Sequence, residues 1–501
     1  MPIPPARRTR ASAYDAASTG RRAKGWVTTK DGPNSLIYSN GELMRDRARD
    51  VVRKSPSARG AIESYTSNAI GTGITPLSQH KDPAIREQIH TAWNRWTRRS
   101  DFDDMLDFYG QQALSFRAMM EAGESLFRFR IAPKEMRMRI PLQLELLEAD
   151  HLPLNIWPTS LGQIPEGHTV KSGVEFDAAG RRVAYHLFVQ HPYETVFFTL
   201  QARVTTRVPA SDIIHLYRPL RPKQIRGETW LTAVMTKLWD LDRYDDSELN
   251  RKALVSALTG FITGAADNGD GSPLPSDGQP DPNAPLSQVA TELETGTFLD
   301  LDPGESVTFA NPPDVGGQYE TFFRQQLRLI ARGIGLTYEM LTGDLTGVNY
   351  SSIRAGLIEF RRLCEQIQHQ IFIHKVCDRV YREWLRVGVL SGGLDLPMYM
   401  VDPEQYEDIK WTPPGWPWVD PLKDTTASIL AINNGLTSRS TVVNESGENV
   451  EQVDRENAAD RERERELGIS YNENAPLKQE TSKLAMALLT QPEDAPTRIV
   501  Q

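Results

Sequence analysis

Apolar positions in the second half of the chain keep a helical period. Trp230, Val234, Leu238 and Leu241 follow steps of four, four and three, one face of a helix. The same helix carries Asp240, Asp242, Asp245, Asp246 and Glu248 and continues through Ala253–Leu258. A second helix is predicted in QYETFFRQQLRLIARGIGL, where Phe322, Gln326, Leu329 and Gly333 keep the period and Gly335 lies near the end. Between them stands GAADNGDGSPLPSDGQPDPNAP, which builds no regular structure on its own. The local plan is therefore helix, irregular acidic insert, helix. A Gly/Thr-rich loop comes next, Thr342-Gly343-Asp344-Leu345-Thr346-Gly347-Val348-Asn349-Tyr350. Ser351 and Ser352 are candidate N-caps for a long helix that reaches about Val387, with Leu357, Phe360, Cys364, Ile367 and Ile371 on its apolar face. Roughly 35 residues make about 50 Å of helix, the reach of a spanning or oligomer-packing element.

The first 230 residues read as α+β. Helices are predicted at Ser57–Ile70, Ala84–Arg98 and Met105–Ala122. Strand-like alternation is present in Ser125–Ile131, Leu142–Leu147, Gly173–Phe176, Val183–Val189 and Ile213–Tyr217, with Gly180 supplying a hairpin-like turn. After Val387 comes a Pro/Trp-rich connector from Trp411 to Pro421. Helices resume at about Leu422–Asn433, Ser440–Asn444 and Asn449–Leu467. The last carries the charge-alternating run RERERE and reads as a solvated face. No internal repeat is present.

Composition sharpens this picture. The chain has 501 residues, two to four structural regions by size, and a formal charge of −9. That charge hides a segregation. Residues 1–60 hold 13 Lys/Arg against 5 Asp/Glu, whereas Ala253–Phe323 holds 11 acidic residues and no cation in 71 positions, where about eight would fall at the average frequency. No stretch reaches the roughly 18 apolar residues of a membrane helix. Met1–Arg10 has no apolar core for a secretory signal. Cys364 and Cys377 lie 13 residues apart in one predicted helix, about 20 Å and too far to bridge, so a reducing compartment is expected.

Chemistry is scarce. There is no G-x4-G-K-[ST] phosphate loop, no H-E-x-x-H and no paired C-x2-C. Gly71-Thr-Gly73 lacks a third glycine. Gly123-Glu124-Ser125 begins like a nucleophile elbow but has Phe127 where glycine is required. Cys364, His369, His374 and Cys377 point in different directions around a helix and close on no metal. The Asp101, Asp103, Asp104, Asp107 cluster has Leu106 where a calcium loop needs glycine; it reads as a helix N-terminus with acids at its positive end. Arg218, Arg221, Lys223 and Arg226 form a basic loop that either meets phosphate or an acidic surface or is simply solvated. No enzyme, cofactor or metal site is expected.

The order of several pieces resembles the lambda-type portal family of tailed bacteriophages. They are Pro56-Ser57-Ala58-Arg59-Gly60-Ala61-Ile62, Gly123-Glu124-Ser125, Leu146-Leu147-Glu148-Ala149-Asp150, and Gly173-Val-Glu-Phe-Asp177 with Ala184-Tyr185-His186. Further on come Ile213-Ile214-His215 with Arg226-Gly227, Asn349-Tyr350-Ser351-Ser352-Ile353-Arg354, and Trp416-Pro-Trp418-Val419-Asp420-Pro421 before Gly435-Leu436-Thr437-Ser438-Arg439.

The resemblance implies an α+β, mainly helical portal fold with wing, stem, clip and crown, dodecameric in the virion at one capsid vertex and closed around a DNA channel. The regions it implies are a basic, flexible arm at 1–56, a wing at 57–229, stem helices at 230–260 and 318–341, and a clip at 261–317. A tunnel loop at 342–351, a long helix at 352–387, a wing connector at 388–420, crown helices at 421–468 and a weakly ordered tail at 469–501 complete the plan. Implied contacts are Thr342 to Tyr350 with DNA, an acidic stem face of Asp240, Asp242, Asp245 and Asp246, and clip residues Asp281, Glu292, Glu294, Asp300 and Asp302 that dock the packaging motor and later an adaptor. The implied partners are copies of the chain, double-stranded DNA in transit, the terminase large subunit, the major capsid protein, scaffold and a head–tail adaptor, with no membrane. The setting is the virion, with assembly in the host cytoplasm. Another ring-forming head–tail protein, or the portal of a domesticated prophage or gene-transfer agent, is the alternative reading.

Overall fold

The computed structural model describes residues 24–155, 164–194, 204–257, 261–264, 305–308, 316–346, 350–416, 421–446, 448 and 450–469. Helix α1 (Pro33–Lys54) leads into α2 (Pro56–Ala69), β1 (Thr75–Ser78), α3 (Pro83–Thr97) and α4 (Phe108–Ala122). Strands then run as β2 (Glu124–Ile131), β3 (Leu142–Glu148), β4 (Thr169–Lys171), β5 (Val174–Phe176), β6 (Arg182–Phe188), β7 (Thr205–Pro209) and β8 (Ile213–Tyr217). Then come α5 (Met235–Ala257), the antiparallel pair β9 (Phe261–Gly264) and β10 (Glu305–Thr308), α6 (Gly316–Ile334), α7 (Tyr338–Thr342) and α8 (Tyr350–Ile367). A π-helical stretch, Gln368–Cys377, joins α8 to α9 (Asp378–Leu390); α10 (Glu404–Glu407), β11 (Ile409–Thr412), α11 (Pro421–Asn433), α12 (Arg439–Glu445) and α13 (Val450–Leu467) complete the order. The fold is mixed and mainly helical, with small antiparallel sheets.

The strand alternation explains the layering. In the sheet β3-β2-β8, Phe127, Leu144, Ile214 and Leu216 turn toward α4 and the main core. Leu126 and Ile213 turn the other way, onto Val174, Tyr185, Leu187 and Val208 of the sheet β4-β5-β6-β7. The main core also takes in the aromatic stack of Trp93, Trp96, Phe108, Tyr381 and Trp384, in which Trp93 and Trp384 meet edge to face at 5.0 Å. β11 pairs with β1, so the connector after α9 returns to the start of the chain.

Several expectations change. The basic arm at 1–56 is not flexible throughout, because α1 is a 22-residue helix with Ile37, Gly41, Arg45, Ala48, Val51 and Val52 buried. A buried arginine in the middle of that stripe hid its amphipathic pattern. The helix predicted from Met105 starts at Phe108, because the buried Asp101 carboxylate accepts from the Met105 and Leu106 amides (3.0 and 2.9 Å) and holds them in a turn. Asp107 then caps α4 through Gly110 N (2.7 Å).

The predicted stretch 318–341 is two helices broken at Gly335, whose φ of +93° favours glycine. The apolar face read through Phe322 and Leu329 is exposed; the buried stripe of α6 is Leu327, Ile330, Ala331 and Ile334. The long helix departs from α geometry because its buried residues, Cys364, Gln368, Phe372, Val376, Val380, Trp384 and Gly388, recur every four positions. On an α-helix each such step overshoots by about 40°. The wider π turns reverse that drift and return the stripe to one core. Cys364 and Cys377 are buried free thiols.

Candidate functional site

The helix pair α5–α6, with β9 and β10 between, is fixed at its base by close packing. Trp230 does not begin α5; its amide donates to Met120 O (3.0 Å) and its ring meets Tyr65 edge to face. Val234, Leu238 and Leu241 are buried, as their spacing implies. A Cβ on Gly333 would lie 2.4 Å from Val234 Cγ1, so glycine allows α6 to approach. Tyr65 OH donates to Ile334 O (2.9 Å), satisfying a terminal helix carbonyl. Farther out, Tyr244 stacks on Tyr319 and meets Phe322 edge to face, with ring centroids at 5.8 and 5.3 Å.

The four acids of α5 differ in their surroundings. Asp245 accepts from Tyr319 OH across the pair. Asp242 is half-buried, and burial, then Asp246 and Asp245, push its carboxyl up, while Ser55 opposes the shift. Asp240 and Asp246 are exposed. Two of the four are thus engaged within the chain and two are open. Also open on this pair are Trp239, Leu249, Phe322 and Leu329.

Thr342 closes α7 and Gly343 turns left-handed (φ +72°). Asp344 organises the turn beyond it. Its carboxylate accepts from Thr346 Oγ1, from Thr346 N (3.0 Å) and from Tyr338 OH (3.0 Å). Those hydrogen bonds, Thr346 first, hold its carboxyl below the usual range. Leu345 and Thr346 are exposed and Tyr350 begins α8; Gly347, Val348 and Asn349 lie outside the described residues. So do the proposed clip residues Asp281, Glu292, Glu294, Asp300 and Asp302.

Two buried carboxylates were not anticipated as centres. Gly123 (φ +93°) ends α4, and a Cβ on Gly227 would fall 2.0 Å from Gly123 O, so two glycines pack backbone to backbone there. This places Glu124 against Arg226 Nε (2.8 Å), Gly227 N (2.8 Å), His215 Nε2 (2.9 Å) and Arg45 Nη2 (3.3 Å). Arg226 further donates to Leu152 O (2.8 Å) and Ser172 O (3.0 Å). Arg45 continues to Asp150 (3.1 Å), and Arg49 bridges Asp150 and Glu148. Burial opposes the charge on Glu124, but Arg226 and His215 outweigh it and hold the carboxyl well below the usual range. Burial pushes His215 down to about 4. The basic loop is corrected here: Arg226 is a buried structural cation, not a surface one.

The second centre is Glu175, which takes Arg207 bidentately (2.8 and 2.9 Å), His168 Nδ1 (2.7 Å) and His186 Nε2 (3.0 Å). The Arg207 hydrogen bonds lead in lowering it to about 2. Strand alternation signalled the first only, since it sets Glu175 on the face opposite Val174 and Phe176. Glu124 shares a face with Leu126, and a carboxylate on a buried face requires cations.

Glu148, Asp150 and His191 come within 4.8 Å of one another, but Arg49 already occupies the two carboxylates. His369 and His374 are exposed while Cys364 and Cys377 are buried, so these four do not converge. Among the described residues no helix is long and apolar enough to cross a membrane.

A family model described as phage portal protein, lambda family, matches residues 19–368. The chain is 28% identical over 483 residues to the "Probable portal protein" of Halomonas phage phiHAP-1, covering 93% of this chain and 90% of that protein. It is 20% identical over 465 residues to the portal protein of Escherichia phage N15, covering 84% of each. Among solved structures, a chain from the neck of a native GTA particle computed with C12 symmetry aligns with TM-score 0.43 and 15% identity, over 83% of this chain and 93% of that one.

Proposed function

The chain belongs to the lambda family of phage portal proteins, and from that membership we propose that it closes into a ring around a DNA channel at one capsid vertex. The observation that carries the reading is the extent of the family match, which runs through α5, α6, the loop after α7 and α8.

In this reading residues 57–229 form the wing, α5 and α6 the stem, and 261–317 the clip that docks the terminase and later a head–tail adaptor. The segment 342–351 is the tunnel loop, 352–387 the long helix behind it, and 421–468 the crown. Copies of the chain cover Trp239, Leu249, Phe322 and Leu329, which a lone subunit leaves exposed. Asp240 and Asp246 remain open toward the channel or a neighbouring stem.

A conduit must pass its cargo without gripping it. Neutralising many phosphates with Lys and Arg gives strong, salt-dependent binding, whereas open carboxylates repel the backbone and keep it mobile. Asp344 shapes the first turn of the tunnel loop, and the glycines on either side of it, Gly343 and Gly347, allow movement around a helical cargo. The reading assigns the chain no chemistry of its own.

Electron microscopy and mass photometry of the purified protein test this. The expected particle is a ring with a central hole, of roughly 0.6–0.7 MDa for a dodecamer. A stable monomer at micromolar concentration overturns it. Shortening the loop within 343–349 is expected to leave ring assembly intact and to impair packaging or retention of DNA. Normally filled heads from that variant remove the role given to the loop.

A further inference from the structure

A cleft between α3 and the β2–β3 connection combines an arginine rim with an apolar floor. Arg95, Arg99, Arg137 and Arg139 line it together with Trp96 and Ile140. All four arginines are exposed, and among the described residues none of them forms an ion pair. The lining includes one carboxylate, Glu87, and Arg455 of α13 already holds it at 2.7 Å. That pairing leads in lowering the Glu87 carboxyl. Trp96 offers a visitor only its apolar ring, because its Nε1 is committed to Leu142 O (2.8 Å); of the uncharged polar residues in the lining, Gln88 and Thr91, Thr91 Oγ1 already donates to Glu87 (3.3 Å).

The rim is held rather than floppy. Arg99 Nη2 donates to Met136 O (2.9 Å), Ala132 N to Pro141 O (2.7 Å) and Ser391 Oγ to Arg139 O (3.2 Å). A Cβ on Gly393 would come within 2.4 Å of Arg139 O, so the end of α9 packs directly on this turn. Arg137 sits at φ +48°, a region that non-glycine residues seldom occupy. A long cationic side chain at a position that favours glycine, on a braced turn, is the kind of local conflict that marks function.

We propose that this cleft is a docking groove for an acidic, amphipathic segment of another protein. Carboxylates on the segment meet the guanidinium rim, where planar forks accept them bidentately, and its apolar side chains settle on Trp96, Met138 and Ile140. The floor decides against nucleic acid as the occupant. A phosphate backbone is held by cations and backbone amides, and an apolar floor gives it nothing. A braced rim lowers the ordering cost of binding.

The test uses the full-length protein and a fluorescein-labelled, Glu-rich amphipathic helical peptide, read by anisotropy. Binding is expected in the micromolar range and to weaken with salt. Arg137→Gly removes one of the four rim cations and suits the backbone, so folding is retained; combined with Arg95→Ser it is expected to weaken binding about tenfold. Arg95→Glu, as a second exposed variant, is expected to act in the same direction. A peptide with its leucines changed to serine is expected to lose a comparable share. Parental affinity in the arginine variants, or in the serine peptide, overturns the proposal. So does a short DNA duplex that displaces the peptide and loses affinity in the same variants.

Discussion

Glu124 and Glu175 have side chains that are equally sealed, each 0% exposed, yet they are different kinds of structure. The side-chain partners of Glu124 stand 79, 91 and 102 residues away in sequence, on α1, β8 and the turn before α5. Those of Glu175 stand 7, 11 and 32 residues away, within or beside one small sheet. Arg226 is buried, while the Arg207 side chain is 41% exposed. One carboxylate therefore joins segments that nothing local would bring together. The other finishes a sheet that its own strands already define. The same residue type, equally covered, does long-range assembly in one place and local trimming in the other.

The largest expected effect comes from breaking the long-range centre. Glu124→Gln leaves Arg226 buried without its counter-charge and Arg45 with Asp150 alone, a loss of about 3–5 kcal/mol. Glu175→Gln is expected to cost about 1–2 kcal/mol, because Arg207 can turn to solvent. Urea denaturation followed by tryptophan fluorescence compares the two. Equal midpoints would remove the distinction.

Acid separates the two centres next. His215 titrates near 4 in the fold against about 6.5 when free, so the unfolded chain binds the extra proton. Its contribution is complete above about pH 6.5 and is lost as pH falls toward 4. His90 and His151, also lowered by burial, add to the same limb. Glu175, at about 2, contributes above its free value of about 4.3 and loses that only as pH falls from there toward 2. Stability measured against pH is thus expected to slope already between about 6.5 and 4.5. His215→Gln is expected to flatten this slope, and Glu175→Gln to change only the limb below it. An unchanged slope in the histidine variant would show that the Glu124 centre does not set it.

Legibility in the sequence divides along the same line between near and far. Helices α2 and α3 and five of the strands, β2, β3, β5, β6 and β8, could be read because their apolar period is set by neighbours a few residues away. Helix α1 was hidden by Arg45, a cation on a buried face whose counter-charges are Glu124 and Asp150. Arg226 read as surface charge for the same reason. The π stretch was hidden because a four-residue repeat fits α geometry over two turns and fails only over many. In α6 two apolar stripes compete, and local sequence does not say which one meets α5. The motif pieces carrying Glu124, Asp150, His215 and Arg226 pointed to the family as a string of short matches. Their physical meaning, one buried charge network, exists only after folding. The acids of α5 show the limit in the other direction: a cluster in sequence need not share one environment, since Asp242 is half-buried and Asp245 meets Tyr319 across the helix pair while Asp240 and Asp246 are exposed.

The smallest effect tests whether solvent, rather than distance along the chain, separates the two centres. Arg207 reaches Glu175 from a position open to water and ions, so mobile charge can replace part of what it supplies. Arg226 has no such exchange, since its side chain is 2% exposed and its other hydrogen bonds go to backbone carbonyls. Arg207→Ala is therefore expected to cost about 1 kcal/mol at low salt and less near 1 M salt, where the screening length falls to about 3 Å. Arg226→Ala is expected to cost several-fold more and to change little with salt. Parallel salt series of denaturation midpoints read the contrast as two slopes, one falling and one flat. If both fall together, water reaches the Glu124 centre in solution, and its strength comes from the number of its partners and not from being sealed.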